Sequence, residues 1–523
     1  MSTESEVTAE EPPTQNVAAQ GTVVAGMTLL SRISGFARDM VLSYFFGAGL
    51  VADAFFVAFR IPNFFRRLFA EGAFNQAFVP VLARYRDEPR ASFLGFVAAV
   101  QGNLMLVLTG VMMAGVVFAP ALVSVFAPGF WDSPVQFELA TAMVRITFPY
   151  LAFISLTAFA GAMLNSFHRY AVPAFTPVLL NLSLITAMLF AADLFEQPVF
   201  ALAWGVFFAG AIQLLFQFPS LFRLGLLVTP RVSLAHPGVR QVGRLLLPAV
   251  FAASAGQINA LIDTILASTL ITGSISWLYY SDRLLELPIG LVAVALGTVM
   301  LPNLSRLDAN GNREGFSATL DWGLRMGLLL GIPAAVALYV LALPLIATIF
   351  LHGALTSLDA RMAALSLQAF ALGLLPLVLV KVTAPAYFAQ QDTSTPFRYA
   401  GAAVITNIAL NLALFWWFGH VGLALATSVS AWVNALLLLR GVVARALYHP
   451  TPQLRRTGLR VTTAAVAMGL ALWLLLPEGA QWLQMSAASR ALWLVAAVAG
   501  GGGVYLLALM AMGERPKSLL HRV

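Results

Sequence analysis

The sequence predicts an all-α polytopic membrane protein with fourteen transmembrane helices. Hydrophobic residues make up 60% of the chain and charged residues only 10%, whereas a soluble domain carries about 25% charged residues. Apolar runs of about 20 residues, long enough to cross a bilayer, recur from residue 22 onward. No stretch between these runs is long enough for a folded soluble domain.

The fourteen predicted helices follow the apolar runs, and several exceed one bilayer span, so we expect them to tilt, kink or extend beyond the membrane. Before them, residues 1–21 are polar and lack the basic start and apolar core of a signal peptide. We predict a disordered acidic cytoplasmic tail there. The helices are predicted at 23–46, 51–83, 92–118, 136–164, 174–193, 198–220, 243–268, 274–304, 318–350, 360–388, 398–418, 421–440, 459–476 and 491–512.

The loops alternate in charge. Nineteen of the 30 basic residues lie in the loops after the even-numbered helices and in the C-terminal segment, whereas the other loops hold only Arg490. The positive-inside rule therefore predicts that both termini are cytoplasmic. The net charge of +7 is explained by this topology and does not indicate a nucleic-acid partner.

Several kinds of chemistry are excluded by the residues present. The chain has no cysteine, so it forms no disulfide and no thiolate site. Its six histidines show no metal-binding spacing, and no phosphate-binding GxxxxGK[ST] loop is present. We therefore expect no resident cofactor and no use of nucleotide.

An internal repeat divides the chain. Residues 162–184 and 387–414 share the same order of features: a helix end, a polar turn, then a proline opening an apolar helix that contains asparagine. The offset of about 223 residues spans an even number of helices, so two lobes with the same orientation are expected. The predicted divisions are the tail 1–21, an N-lobe 22–222, a C-lobe 223–447, and helices 13–14 with the C-terminus in 448–523.

Charged side chains inside the second predicted helix need an explanation, because each costs about 2.5–3.5 kcal/mol at membrane depth. At 100° per residue, four of them fall within about 40° of one another, with a polar pair beside them. Internal ion pairing that stabilises the bundle would account for the stripe equally well. The four are Asp53, Arg60, Arg67 and Glu71, and the pair is Asn63 and Arg66.

Further arginines lie in the first and eighth predicted helices. The segment SRISGFARD (31–39) carries Arg32, Arg38 and Asp39, with Gly35 between the arginines as a point where the helix can bend. A water-filled cavity shared between the lobes would spare these groups from lipid. Guanidinium forks bind phosphate oxygens in pairs, so the predicted ligand is a phosphate-bearing anion. Helix 8 adds Asp282, Arg283 and Glu286.

The run MTLLSRISGFARDMVLSYFFGAGLVADAFFVAFRIPNFFRRLFAEGAFNQAFVP (27–80) closely resembles the MurJ/MviN family of lipid II flippases. The resemblance continues through ITFPYL (146–151), SWLYYSDRLLELPIGLVAVALGT (276–298) and AQQDTSTP (389–396). It implies two six-helix lobes in a V plus two C-terminal helices. It also implies transport of undecaprenyl-pyrophosphate-linked disaccharide-pentapeptide from the inner to the outer leaflet. By motif, the family's cavity residues fall on Arg32, Arg38, Asp39, Arg66 and Arg283.

The resemblance has two further implications. The uncharged helices 461–476 and 491–512 would form a groove for the polyprenyl tail, although simple lipid-anchoring helices would look the same. A sodium site, as in some family members, would use oxygens suited to a hard cation. Polar packing between helices is the alternative, and an amide stands where the family pattern expects a second carboxylate. The four candidate ligands are Asp263, Asn407, Asn411 and Thr427.

Three other functions are weighed against lipid II transport. A flippase for another polyprenyl-linked saccharide would need the same arginines. A membrane-embedded polyprenyl-phosphate glycosyltransferase would also need paired carboxylates in an aqueous loop, which the sequence lacks. A structural scaffold would not need unbalanced buried arginines. We therefore expect a transporter and not an enzyme, acting as a monomer in the bacterial cytoplasmic membrane.

Overall fold

The computed structural model describes residues 15–67 and 74–514, and within these ranges every regular element is helical. Two short 3₁₀ turns lie at Pro128–Asp132 and Ala192–Leu194. The helices before residue 310 are α1 (Gln15–Phe46), α2 (Leu50–Arg66), α3 (Phe74–Arg86), α4 (Arg90–Val117), α5 (Ala119–Phe126), α6 (Pro134–Thr147), α7 (Tyr150–Ser166), α8 (Ala171–Phe190), α9 (Phe200–Arg223), α10 (Pro237–Ser268) and α11 (Ser274–Ala309).

The remaining helices continue to the end of the described chain. Nine helical segments of the described part are long and apolar enough to cross a membrane. The helices are α12 (Arg313–Val340), α13 (Ala342–Ile349), α14 (Ser357–Ala389), α15 (Ser394–Ala444), α16 (Pro452–Leu475), α17 (Gly479–Gln484) and α18 (Ala487–Ala511).

The predicted segments fall on these helices, with differences at breaks. The second predicted helix coincides with α2 in its first part and with α3 in its last part, and residues 68–73 between them lie outside the described residues. The fourth is broken between α6 and α7, where Pro149 precedes the first residue of α7. Predicted helices 11 and 12 form α15, which leaves helical geometry at Gly419. Its two arms fold back on each other, because Asn407 lies 3.4 Å from Thr427, whereas 20 residues of straight helix span about 30 Å.

The chain forms two compact units. The first contains residues 1–39, 59–119 and 142–254, and the second contains 40–58, 120–141 and 255–523. Two segments that the repeat assigns to the N-lobe therefore group with the C-terminal unit. The lobe boundaries stay a prediction, as does the V arrangement.

Each unit has its own apolar core. In the first, aromatic rings of α3, α4 and α7 stack in a row, with Phe74, Phe78, Phe96 and Phe159 at most 5% exposed. In the second, α14 packs on α11, α12 and α15. A separate cluster joins α16 and α18 to α12 and α13 around Leu341, Met468 and Tyr505. These cores fix the helices that carry the charged residues described next.

Candidate functional site

The Arg38 guanidinium is buried in the first unit. Its Nε and Nη2 both donate to Oδ1 of Asp39, at 2.9 and 2.7 Å, and its Nη1 donates to Oδ1 of Asn181 on α8 at 3.1 Å. Arg38 is 4% exposed and Asp39 is fully buried. Both residues lie within α1, which is helical from Gln15 to Phe46 and includes Gly35. A ligand that binds Arg38 in this state would have to compete with Asp39.

Asn181 holds the pair in place and was not assigned a role from the sequence. Its amide nitrogen donates to the carbonyl of Ser31 at 3.1 Å and to the hydroxyl of Ser34 at 3.0 Å. Gly35 lies directly beside this amide, since a Cβ there would lie 3.4 Å from its nitrogen, in van der Waals contact. The asparagine within the repeated segment is the signal that would have found it.

The other basic residues of the first unit are more accessible. Arg32, Arg60 and Arg67 are exposed, while Asn63 and Arg66 are half-buried. The Arg66 Nε donates to Oδ1 of Asn63 at 3.0 Å, which orients the guanidinium along α2. Glu71, predicted to share their stripe, lies outside the described residues.

Arg283 is in the second unit, on α11. Its guanidinium donates to Glu286 at 2.9 Å and lies 5.6 Å from the ring centre of Tyr279. Asp282, beside it, is exposed. Because Arg283 and the arginines of α1 and α2 belong to different compact units, a cavity shared by all of them stays a prediction.

Asp53 has a different environment from the one predicted. Its carboxylate is 2% exposed and accepts hydrogen bonds from the backbone amides of Gly273 at 2.6 Å and Ser276 at 2.9 Å, and from the Ser276 hydroxyl. It therefore caps the N-terminus of α11, where a negative charge is stabilised by the helix dipole. The three bonds join the start of α2 to the start of α11.

Two glycines extend this region, which we call the contact zone: the ends of α1, α5, α10 and α13 and the starts of α2 and α11, all within the second unit. The Gly129 amide donates to the hydroxyl of Ser268 at 3.1 Å, and a Cβ at Gly129 would lie 2.0 Å from the Ser268 carbonyl oxygen. The Ala354 amide donates to the Tyr44 carbonyl at 2.8 Å, and a Cβ at Gly353 would lie 2.2 Å from that oxygen.

The contact zone follows the internal repeat. Asp53 bonds Ser276, which is 223 positions later, and the ring of Phe56 stacks on Tyr279, also 223 positions later, with ring centres 4.1 Å apart. The two glycine contacts are likewise related, by 224 positions. Equivalent residues of the two repeats thus touch each other, as they do across a two-fold axis.

The four candidate cation ligands lie together in the second unit. The Asn411 amide nitrogen donates to Oδ1 of Asp263 at 2.7 Å and to Oδ1 of Asn407 at 3.0 Å, and Asn407 donates to Thr427 at 3.4 Å. Asn407 and Asn411 are fully buried, and the Asn411 Oδ1 has no hydrogen-bond partner. No group of three or more His, Cys, Asp or Glu side chains forms a metal site in the described part of the chain. The cluster's oxygens suit a hard cation, and its occupation by sodium stays a prediction.

The C-terminal helices present apolar side chains and one buried charge. Leu470, Trp473 and Leu492 are 55%, 70% and 73% exposed, as a surface facing lipid tails would be. Arg490, which the loop count had placed in a polar loop, is only 7% exposed. It donates to the carbonyls of Ala347 and Leu351 at the end of α13, at 2.6 and 3.1 Å.

The fold defines the class of protein. A structure described as an inward-facing conformation of a multidrug resistance MATE family transporter of the MOP superfamily matches with a TM-score of 0.65, at 13% identity, over 81% of this chain and 98% of that chain. The chain thus has the fold of a polytopic membrane transporter. A lipid II flippase MurJ in an inward closed conformation matches with a TM-score of 0.80, at 26% identity, over 96% of this chain and 100% of that chain.

The particular family follows from the sequence comparisons. The chain belongs to the lipid II flippase MurJ family, whose model matches residues 42–492. A relative from Vibrio cholerae, described as "Probable lipid II flippase MurJ", is 44% identical over 507 residues, covering 95% of this chain and 97% of that protein. The "Lipid II flippase MurJ" of Burkholderia cenocepacia is 41% identical over 457 residues, covering 86% of this chain and 88% of that protein.

Proposed function

We propose that this chain is a lipid II flippase of the bacterial cytoplasmic membrane. It moves the undecaprenyl-pyrophosphate-linked peptidoglycan precursor from the inner to the outer leaflet and so serves cell-wall synthesis. The observation that carries the proposal is the match over nearly the whole chain to relatives named for this activity. The helices that are long and apolar enough to cross a membrane, and the arginines described above, also support it.

The arginines divide into two roles. Arg32, exposed, and Arg66, half-buried and oriented by Asn63, make the first contacts with the pyrophosphate. Arg38 and Arg283 are each paired with a neighbouring carboxylate, at 2.7 and 2.9 Å, and exchange that partner for phosphate oxygens as the head group enters. When no ligand is bound, a guanidinium paired with a carboxylate costs less free energy to hold within the membrane than an unpaired one, because its charge is balanced.

Alternating access is supported by the contact zone. The loop charges favour a periplasmic position for this zone, where it would hold that end shut while the cytoplasmic end receives lipid II. Opening outward then requires the bonds of Asp53 and the two glycine contacts to break together. Helices α1, α2, α10 and α11 carry these contacts, so they are the elements that move.

The membrane potential supplies energy. The head group is anionic and the cytoplasm is negative, so outward movement of one net negative charge gains about 2.3 kcal/mol per 100 mV. Return of the empty protein, with its basic residues, is favoured by the same potential. A sodium ion held by Asp263, Asn407, Asn411 and Thr427 would bias the return. For this, the Asn411 amide would turn so that its unpartnered Oδ1 faces the ion.

The activity is tested by depleting the protein and labelling lipid II in each leaflet separately, which should show lipid II retained in the inner leaflet. Arg32→Ala and Arg66→Ala should each abolish rescue of the depleted cells, while the protein still inserts. The matched control is Arg361→Ala on α14, which removes an exposed arginine of the second unit. Normal outer-leaflet labelling after depletion would overturn the proposal.

Substrate and cation coupling need separate measurements. In vesicles containing purified protein, unlabelled lipid II should inhibit transport of labelled lipid II more strongly than an undecaprenyl-pyrophosphate bearing another sugar does. Equal inhibition by the two would favour a flippase of broader substrate class. Asp263→Ala should slow turnover and remove dependence on sodium but leave head-group binding intact. Asp308→Ala, which removes an exposed carboxylate from α11, is its control. Sodium dependence that persists in Asp263→Ala would rule out the cluster.

A further inference from the structure

The turn before α8 and the turn before α15 have the same backbone. His168 and Gln391, 223 positions apart, both have a φ of 59°. The amide of the next residue returns to the helix that has just ended in each case: Arg169 to the Leu164 carbonyl at 2.9 Å, and Asp392 to the Tyr387 carbonyl at 3.0 Å. The two turns are therefore one structure built twice, and their side chains occupy equivalent positions.

In the second copy, a carboxylate fills the space between two helix ends. Oδ1 of Asp392 accepts from the Thr395 amide in the first turn of α15 at 3.0 Å. Its Oδ2 accepts from Arg445, just beyond the end of the same helix, at 2.7 Å. These bonds, chiefly those from Thr395 and then that from Arg445, hold the pKa of Asp392 well below its usual range. An anion thus joins a helix N-terminus to an arginine.

In the first copy, an arginine stands where that carboxylate would be. Arg169 replaces Asp392, and Val172 is the counterpart of Thr395, at the start of α8 where no side chain caps the helix. Arg223 closes α9, one position after Phe222, the counterpart of Arg445. Among the described residues, no salt bridge involves Arg169 or Arg223. A cavity of about 410 Å³ lies between them, lined by His168, Tyr170, Val172 and Ser220 as well, and none of the described residues in its walls is acidic.

We propose that this cavity binds a phosphate-bearing anion, which supplies the negative charge that Asp392 supplies in the second copy. Two guanidinium groups and a bare helix N-terminus are the groups that bind phosphate best. The cavity lies at the ends of the membrane-crossing helices α8 and α9, on the side that the loop charges predict to be cytoplasmic. An anionic lipid head group of that leaflet is therefore within reach, as basic pockets between membrane helices commonly bind such groups. This site is separate from the transport of lipid II.

The test measures the thermal unfolding midpoint of purified full-length protein, because a ligand that binds the folded state raises it with concentration. The titrants are phosphatidylglycerol, phosphatidylcholine and inorganic phosphate, at constant ionic strength. Wild type should be stabilised by phosphatidylglycerol and not by phosphatidylcholine. Stabilisation by inorganic phosphate at comparable concentration would identify free phosphate as the source, and absence of any response would overturn the site.

Arg169→Asp copies the second turn and fills the site from within. Its half-saturating concentration for phosphatidylglycerol should rise by about tenfold or more, as expected when a charge-assisted hydrogen bond is lost. Its midpoint without ligand should equal or exceed that of wild type, because the new carboxylate caps α8. Arg223→Gln should weaken binding similarly without filling the site, which keeps the test informative if Arg169→Asp folds poorly.

The charge-matched control is Arg398→Asp, which alters an exposed arginine in the first turns of α15 outside the cavity. It should respond to phosphatidylglycerol as wild type does. Equal weakening in Arg398→Asp and Arg169→Asp would mean that only net charge matters, and the proposed site would be wrong. A response that appears only after removal of residues 1–14 would show that the acidic N-terminal segment occupies the cavity, which would also overturn the proposal.

Discussion

The two copies of the internal repeat match closely at one end and differ in charge at the other. In the contact zone, Phe56 stacks on Tyr279, its equivalent in the second copy, and each copy presents a glycine to a helix end of the other. In the turns before α8 and α15, the backbone is the same but Arg169 stands in place of Asp392. Where the copies touch, equivalent residues of both form a single interface, so a side chain in one copy must fit its counterpart in the other. Where each copy faces its own surroundings, its side chains are free to diverge.

The glycines of the contact zone offer the largest expected effect. Gly129→Ala should prevent the zone from forming as it is, because the new Cβ would lie 2.0 Å from the Ser268 carbonyl oxygen. Overpacking costs about 1–3 kcal/mol, so the population with the zone formed should fall roughly five- to a hundredfold. Gly353→Ala should act in the same direction, with added backbone strain since its φ is +59°.

The population is measured by disulfide formation between Phe56→Cys and Tyr279→Cys, which is specific because the chain has no cysteine of its own. Gly110→Ala in α4, where a Cβ would meet nothing within 4 Å, is the control. Equal crosslinking in Gly129→Ala and Gly110→Ala would contradict the tight approach at Gly129. Transport should fall together with crosslinking if the zone is a gate.

Asp53 and Ser276 should have unequal effects although they are equivalent positions. Asp53→Ala removes all three bonds that join α2 to α11, and hydrogen bonds to a charged group contribute about 1.5–3 kcal/mol each. Ser276→Ala removes only the hydroxyl and leaves both backbone amides bound to Asp53. The same crosslink should therefore fall much further in Asp53→Ala. An equal fall in the two variants would mean that the carboxylate does not cap α11.

The pair of Asp392 and Arg445 should have the smallest effect. Both side chains are partly exposed, at 21% and 40%, so Asp392→Asn should lower the free energy of unfolding by about 1 kcal/mol or less. Because the pKa of Asp392 is lowered in the folded state, its contribution is complete above the unfolded pKa of about 3.9 and is lost as the pH falls through the folded value.

Unfolding in denaturant at several pH values checks this sign. The difference between wild type and Asp392→Asn should stay constant from pH 8 down to about pH 5 and shrink below about pH 4. A difference that grows as the pH falls would contradict the lowered pKa. Arg169→Asp introduces the same carboxylate in the first copy. Measuring its free energy of unfolding at the same pH values shows whether the two turns have the same pH dependence.

The sequence by itself determined the class of fold, the family and the repeat. Helical membrane spans can be recognised in a sequence because an apolar run within the bilayer must satisfy its backbone hydrogen bonds internally. Hydropathy alone therefore locates the helices. The prediction that the chain belongs to the MurJ family is confirmed by the family model over residues 42–492. The sequence also named Asp263, Asn407, Asn411 and Thr427, which do lie together, although only a cation-binding measurement tests their role.

Only the tertiary structure decided which partner each buried charge has. The spacing placed Asp53 on a stripe with arginines, whereas its carboxylate caps the N-terminus of α11, 220 positions further along the chain. Likewise, the sequence named Asp39 beside Arg38 as an acidic partner, but nothing in it showed that Arg38 also donates to Asn181. Helical periodicity fixes the side of a helix on which a residue lies. The partner on that side depends on which distant helix packs there, and long-range packing leaves no periodic signal in the sequence.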